Sequence, residues 1–308
     1  MSQNVVSMIG SYNVGLFLKG QVIPSIGQTV IGDQFYEGGG GKGSNQAVAA
    51  SFMGARTRFI GRIGKDKYGS DAIAMYRKYG ISTDMIKVDE GTHTGISVIL
   101  IDKDGQNSIC VVPGANYHLS KEDIDDAVKV IGDSCIVGFQ LENNLEVVDY
   151  AIRKVHAMDI RTLLDPAPAA KLPEDLYPCI DYIKPNEHEA TILTNIKVTD
   201  AESAKAAGEW FLNRGVKTAI ITLGEQGAVL VQKDQYQFFK APKVTAKDTT
   251  GAGDCFSGAL MAALSQGKTI EEAIVFANYA AALSVTRLGV IEAIPKLSEV
   301  LAFMDQEK

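Results

Sequence analysis

SCIVGF (Ser134–Phe139), LEVVDYAIRKVHAM (Leu145–Met158) and RTLLD (Arg161–Asp165) are followed by YIK (Tyr182–Lys184), NEHEATIL (Asn186–Leu193), AESAKAAGEWFLN (Ala201–Asn213) and TAIITL (Thr218–Leu223). Strand-length apolar runs alternate here with helix-length segments, the pattern of parallel βαβ units joined by right-handed crossovers. Runs such as Cys135–Val137 and Ala219–Thr222 carry almost no polar groups, as strands covered on both faces should. The chain is therefore read as α/β with a mainly parallel sheet.

Outward from that core, the rhythm changes. Strands are predicted at Val5–Ile9, Gly15–Lys19, Thr29–Tyr36, Arg58–Ile63, Gly95–Ile101 and Ser108–Val112, and helices at Asn45–Met53 and Ser70–Tyr79. The strands within about 12–37 and 93–112 do not fit βαβ alternation. They are expected to form a small separate sheet, a lid over the carboxyl edge of the main sheet where α/β ligands bind. Past the core, Phe256–Leu264 reads as a buried helix, and the alanine-rich stretch Ala273–Thr286 as a closely packed one. With no linker or repeat in sight, a single domain over 1–308 with the lid inserted in it is expected.

Composition limits the function. The chain has 308 residues, 46% hydrophobic and 22% charged, with a formal net charge of -7; that balance argues against a nucleic-acid surface. Met1–Gly10 lacks the charged and apolar regions of a leader, and no apolar run approaches the ~20 residues that span a bilayer. A cytoplasmic protein with no membrane or nucleic-acid partner is expected. Cys110, Cys135, Cys179 and Cys255 are far apart without a C-x-x-C pair, so they are read as reduced core residues.

Four glycine or acid clusters fall at predicted strand ends. Asp248, Thr249, Thr250, Gly251, Ala252, Gly253 and Asp254 lead into a helix. Bare amides and the helix dipole favour an anion there. A carboxylate at that place is either a helix cap or a general base, Asp254, acting while the amides of Gly251, Ala252 and Gly253 hold a transferring phosphoryl group. Gly38, Gly39, Gly40 and Gly41 precede Lys42 and Asn45; this is no Walker A loop, since Gly43 follows the lysine. It is a flexible turn or a place where a ligand meets the main chain. Asn186 and Glu189, at i and i+3, either cap a helix or serve Mg²⁺ through oxygen ligands. Glu142 is a solvated loop acid or reaches the same metal through water. Thr222, Gly224 and Gly227 form a strand-then-glycine turn that can lie against a nucleotide.

In this order and spacing, the Gly40–Asn45 and Asp248–Asp254 segments resemble those of the ribokinase family of ATP-dependent carbohydrate kinases, and the likeness runs from Ile9 to about Pro295. The resemblance implies a three-layer α/β/α core with a nine-stranded or similar sheet and a β-sheet lid often used as a dimer contact. It also implies transfer of the ATP γ-phosphoryl group to a sugar's primary hydroxyl, D-ribose by default. Asp254 would be the base and Gly251, Ala252 and Gly253 the anion hole. Asn13, Gly41, Lys42, Asn45 and Glu142 would face the sugar. Asn186 and Glu189 would position Mg²⁺ and phosphates; Thr222, Gly224, Gly227 and Asn278 would line the nucleotide. Asp248, Thr250 and Gly289 would form a K⁺ loop.

Two positions depart from the family pattern. Gly15 stands where an aspartate holds two sugar hydroxyls, and the space it leaves is expected to admit a deoxygenated, differently configured or bulkier sugar, with Lys19 or Lys42 serving any acidic substituent. Ala293 stands where a serine is common beside the K⁺ loop. Kinases of deoxyribose, a ketose, a sugar acid or a nucleoside are the alternatives, and a nucleotide- or sugar-binding sensor is the non-enzymatic one.

Overall fold

A computed structural model describes residues 4–306. The strands are β1 (Val5–Ile9), β2 (Asn13–Gly20), β3 (Gly32–Gly40), β4 (Arg56–Gly64), β5 (Ser82–Asp89), β6 (Gly95–Ile101), β7 (Asn107–Val112), β8 (Ser134–Phe139), β9 (Arg161–Leu164), β10 (Tyr182–Ile183), β11 (Thr218–Thr222), β12 (Gly227–Gln232) and β13 (Gln235–Lys240). The helices are α1 (Lys42–Phe52), α2 (Lys67–Lys78), α3 (Lys121–Val128), α4 (Leu145–Ala157), α5 (Glu187–Thr194), α6 (Ala201–Leu212), α7 (Ala252–Ser265), α8 (Ile270–Ser284) and α9 (Leu297–Gln306).

Nine strands form one sheet in the order β13-β12-β11-β10-β9-β8-β1-β4-β5. Pairing is parallel from β11 to β5 and antiparallel at β11/β12 and β12/β13. Side chains alternate between two cores. Val6, Met8, Ile136, Ile220 and Leu230 pack with α1, α2, α7, α8 and α9, whereas Ile9, Val137, Phe139, Ile221 and Val231 pack with α3, α4, α5 and α6. Central strands such as β8 and β11 are nearly apolar because both faces are covered. Successive crossovers run one way from β1 to β4 and β5 and the other way from β8 to β11, so the strand order reverses between β1 and β8. Ligands of such sheets collect outside the carboxyl ends at that switch point.

The out-of-rhythm strands do form a second sheet, ordered β3-β2-β6-β7. Its extent differs from the expectation at one place. β3 continues through Gly38, Gly39 and Gly40 to the very start of α1, so three of the four glycines are paired strand against Asn13, Val14 and Gly15 and only Gly41 turns. The cysteine expectation also needs correction. Cys255 alone is fully buried, Cys135 and Cys179 are half-buried, and Cys110 is exposed on β7, because β7 is an edge strand with its outer positions open. Burial pushes the Cys255 thiol up to about 12, which leaves it inert. Among the described residues, no helix is long and apolar enough to cross a membrane.

Candidate active site

Two helix N-termini meet at the switch point. Gly41, with φ 88°, ends β3 and caps α1. A Cβ there would lie 2.7 Å from Asn13 N and 2.9 Å from Tyr12 Cα, so only glycine lets the chain fold back against the end of β1. Gly251, with φ 78°, caps α7 in the left-handed conformation, a backbone that β-carbons disfavour. Among the described residues, the Gly253 and Asp254 amides at the start of α7 have no backbone acceptor, as the first turn of a helix leaves them.

Asp254 is buried, and both of its oxygens are engaged from α1: Asn45 Nδ2 donates to Oδ2 at 2.8 Å and Gln46 Nε2 to Oδ1 at 3.1 Å. It is thus no simple helix cap, since no side chain caps α7 at all. Burial, the largest influence, pushes the Asp254 carboxyl above its usual range; Lys42 pulls it down and Asp165 pushes it up further. For the half-buried Lys42, burial lowers the ammonium's pKa, but the carboxylates of Asp254, Asp165, Glu142 and Glu189 outweigh it and hold the group above its ordinary value. A basic carboxylate beside a firmly charged ammonium, at an open helix N-terminus, is an arrangement for moving a proton from a hydroxyl and stabilising an anion.

Glu142 is not a solvated loop acid. Its Oε2 accepts from Lys42 N at 2.8 Å, the first amide of α1, and also from Ser11 Oγ. Asn13 is buried on β2, with its Oδ1 accepting from Asn116 Nδ2 at 2.9 Å. Asn116 also exchanges hydrogen bonds with the Tyr12 main chain, fixing the root of the small sheet. Asn186 and Glu189 close a capping box on α5, Glu189 N donating to Asn186 Oδ1 at 2.8 Å and Asn186 N to Glu189 Oε2 at 2.9 Å. Burial raises the Glu189 carboxyl, and Asp165 raises it further.

The nucleotide candidates lie further along the same edge. Thr222 ends β11 and bridges to Asn186; Gly224 and Gly227 flank the short turn before β12. Asn278 sits apart, buried on α8 with its Nδ2 donating to Phe239 O at 3.3 Å. Asp248 closes its own loop, accepting from Thr250 N at 2.9 Å and from Gly289 N at 3.2 Å. Ala293 is buried and has no side-chain oxygen to offer that loop.

The structure contradicts the expected open space at Gly15. A Cβ on this residue would stand 2.6 Å from Phe17 Cε2 and 3.5 Å from Ile99 Cδ1, and the Phe17 ring is stacked on Tyr36 with centroids 4.5 Å apart. An aromatic ring therefore covers the position that a side chain at residue 15 would take.

Three site residues are not marked by the sequence reading, Gln46, Gln140 and Asp165, and Lys184 falls in the polar cluster after β10 without an assigned role. Lys184 Nζ pairs with Asp165 Oδ2 at 2.8 Å, both side chains 3% exposed. Gln46 Nε2 reaches the same oxygen at 2.9 Å, and Gln140 Nε2 donates to Gln46 Oε1 at 2.7 Å. Their signal was a polar residue just past a strand (Gln140, Asp165, Lys184) or inside an otherwise apolar helical run (Gln46).

A nine-stranded, mainly parallel sheet with helices on both faces and a small second sheet at its carboxyl edge is the ribokinase-like α/β architecture. The sequence matches the pfkB family carbohydrate kinase profile over residues 6–297. It is 37% identical to a ribokinase of Haemophilus influenzae (98% of this chain, 99% of that one) and 34% identical to a deoxyribokinase of Salmonella typhi (96% of each). The structure superposes on a ribokinase from Thermotoga maritima with a TM-score of 0.91 at 38% identity, covering 98% of this chain and 99% of that one. It superposes on an Arabidopsis thaliana ribokinase complexed with ribose and ATP with a TM-score of 0.92 at 30% identity, covering 99% of each. The chain belongs to the pfkB family of carbohydrate kinases.

Proposed function

We propose that this chain is an ATP-dependent sugar kinase in which Asp254 deprotonates a primary hydroxyl and the amides of Gly251, Ala252 and Gly253 receive the transferring γ-phosphoryl group. The observation that carries the reading is the buried Asp254 carboxylate, raised in basicity, beside the unpaired amides of Gly253 and Asp254 at the α7 N-terminus, where Ala252 N is held by Thr249 O at 3.3 Å. Phosphoryl transfer asks mainly for positioning and charge neutralisation, and Lys42 supplies positive charge next to the base. Gly41, Lys42, Asn45, Asn13 and Glu142 form the acceptor side. Thr222, Gly224, Gly227 and Asn278 form the nucleotide side, ATP being the ligand named for the Arabidopsis relative.

Mg²⁺ would be served by Asn186 and Glu189. The capping box uses only Oε2 of Glu189, leaving the other oxygen for a metal-bound water. The ion would screen the phosphate charge when bound. K⁺ would sit at the loop of Asp248, Thr250 and Gly289; the buried methyl of Ala293 weakens that donor set. A homodimer through the small sheet fits its exposed apolar side chains, among them Phe35, Ile109, Val111 and Val112, since a patch of this kind is normally covered. A cytoplasmic location accords with such an enzyme.

D-Ribose is the default acceptor. A second reading, an acceptor lacking one ring hydroxyl, is favoured by Phe17: a hydroxyl turned toward that ring finds no partner in it and loses water. The test is ADP formation from MgATP, with and without K⁺, over matched parent and deoxy sugars, ketoses, sugar acids and nucleosides, with Asp254→Asn as control. Turnover that survives Asp254→Asn at a near-normal rate would sink the base assignment.

A further inference from the structure

Asp165 follows β9 and touches neither of the helix amides nor the acceptor side proposed above, yet it is 2% exposed and carries the densest set of donors in the site. Its Oδ2 receives Gln46 Nε2 at 2.9 Å, Ser257 Oγ at 2.9 Å and Lys184 Nζ at 2.8 Å, while Oδ1 is buried without a partner. A buried ion pair of this kind contributes little net stability, because desolvation offsets the attraction, and an apolar pair of similar volume commonly does as well. Stability alone therefore does not explain it.

Both arms of the network end on the proposed transfer centre. The second hydrogen of the Gln46 amide goes to Asp254 Oδ1 at 3.1 Å. The Lys184 ammonium also donates to Gly253 O at 3.2 Å. The Gln46 amide cannot turn over, since Gln140 Nε2 holds its Oε1 at 2.7 Å and a flipped amide would aim that oxygen at two carboxylates. Gly253 and Asp254 are consecutive at the start of α7, so a single carboxylate oxygen ties down both the amide cradle and the base.

We infer that Asp165 is a positioning residue for phosphoryl transfer: through Gln46 it orients the Asp254 carboxylate, and through Lys184 it holds the Gly253 peptide. The inference rests on the reading of Asp254 as the base. The charged groups acting on Asp254 are Lys42 on α1 and Asp165 after β9, which Lys184 pairs; Glu142 after β8 and Glu189 on α5 act on Lys42. Of these, Asp165 acts to raise the Asp254 carboxyl and Lys42 to lower it.

The test measures kcat, both KM values, the pH profile of kcat/KM and the melting temperature for Asp165→Asn, Lys184→Met and the charge-neutral pair of the two. For Asp165→Asn, kcat should fall by about 100-fold, the scale of a small misplacement of reacting groups, with KM values little changed. Its acid limb should move to lower pH, because the anion that raised Asp254 is gone. The double variant should recover melting temperature but not kcat. Near-normal kcat in Asp165→Asn, an unmoved acid limb, or recovery of kcat together with melting temperature in the double variant would each overturn the inference. If Asp165→Asn does not fold, the double variant decides between these outcomes. Normal turnover in Asp254→Asn would instead overturn the base reading on which the inference stands.

Discussion

Gly258 of α7 lies directly against the main chain at Gln46 of α1: a Cβ on Gly258 would stand 2.4 Å from Gln46 O and 2.5 Å from Ala49 Cβ. This close approach brings Asn45 and Gln46 within reach of Asp254, one turn back along α7. Gly258→Ala should separate the helices, lowering stability by about 1–3 kcal/mol as overpacking does. Turnover should fall further than stability alone explains. Thermal melting and steady-state rates check this, with Gly132→Ala, where nothing lies within 4 Å of a new Cβ, as the unaffected control.

The pH dependence follows from Asp254, whose folded pKa lies above its unfolded value. Between the two values the native state binds more protons than the unfolded state, so its contribution to stability declines as pH rises and is then flat. A base must be ionised, so kcat/KM should fall as pH drops through a midpoint above the ordinary aspartate value of about 3.9. Asp254→Asn should cost about 10²–10⁴ in kcat and remove this residue's share of the stability slope; Glu189, also raised, keeps its own. A rate profile with its acid limb at or below the ordinary carboxylate range would exclude the assignment.

Phe17 bears on the acceptor. Its ring occupies the place a side chain at residue 15 would need, so Gly15→Asp alone should lose stability and activity. Paired with Phe17→Ala, the same change should tolerate the carboxylate and shift kcat/KM from deoxy sugars toward their hydroxylated parents by about 10- to 100-fold. Competition between paired sugars measures the ratio, and an unchanged ratio would remove Phe17 from the specificity argument.

Glu142 should matter for the architecture of the site as well as for any sugar contact. Its Oε2 satisfies the Lys42 amide at the N-terminus of α1, a place where an acid also favours the helix dipole. Glu142→Ala should cost about 1–2 kcal/mol by leaving that amide unpaired, while Glu142→Gln, which keeps an acceptor, should cost less. Urea melts of the two variants separate the contributions.

Much of this is legible in the sequence. Strand and helix types from Ser134 to Leu223 follow from local periodicity, and the second sheet followed from strands that broke the rhythm. β5, β12, β13, α3 and α9 were not read, because each is short or mixed in polarity and is stabilised by neighbours that the sequence does not bring beside it. The glycines at 38–40 misled for a related reason: their local freedom suggests a turn, but pairing with β2 holds them as strand. In the site, Asp254, Lys42 and Asn45 were visible because glycines mark their helix starts. Asp165 and Gln46 were not, since nothing local marks a lone polar residue as the partner of another 119 positions away.

The sequence by itself determined the α/β class, the glycine-marked helix start at Gly251–Asp254 and the family, because each rests on short-range periodicity, backbone chemistry or spacing. Only the tertiary structure decided which carboxylates share donors, that Phe17 covers Gly15, and that Glu142 is spent on the start of α1. Those facts depend on how closely helices and strands from distant parts of the chain approach one another, and packing distances of that kind are set by the whole core rather than by any segment of it.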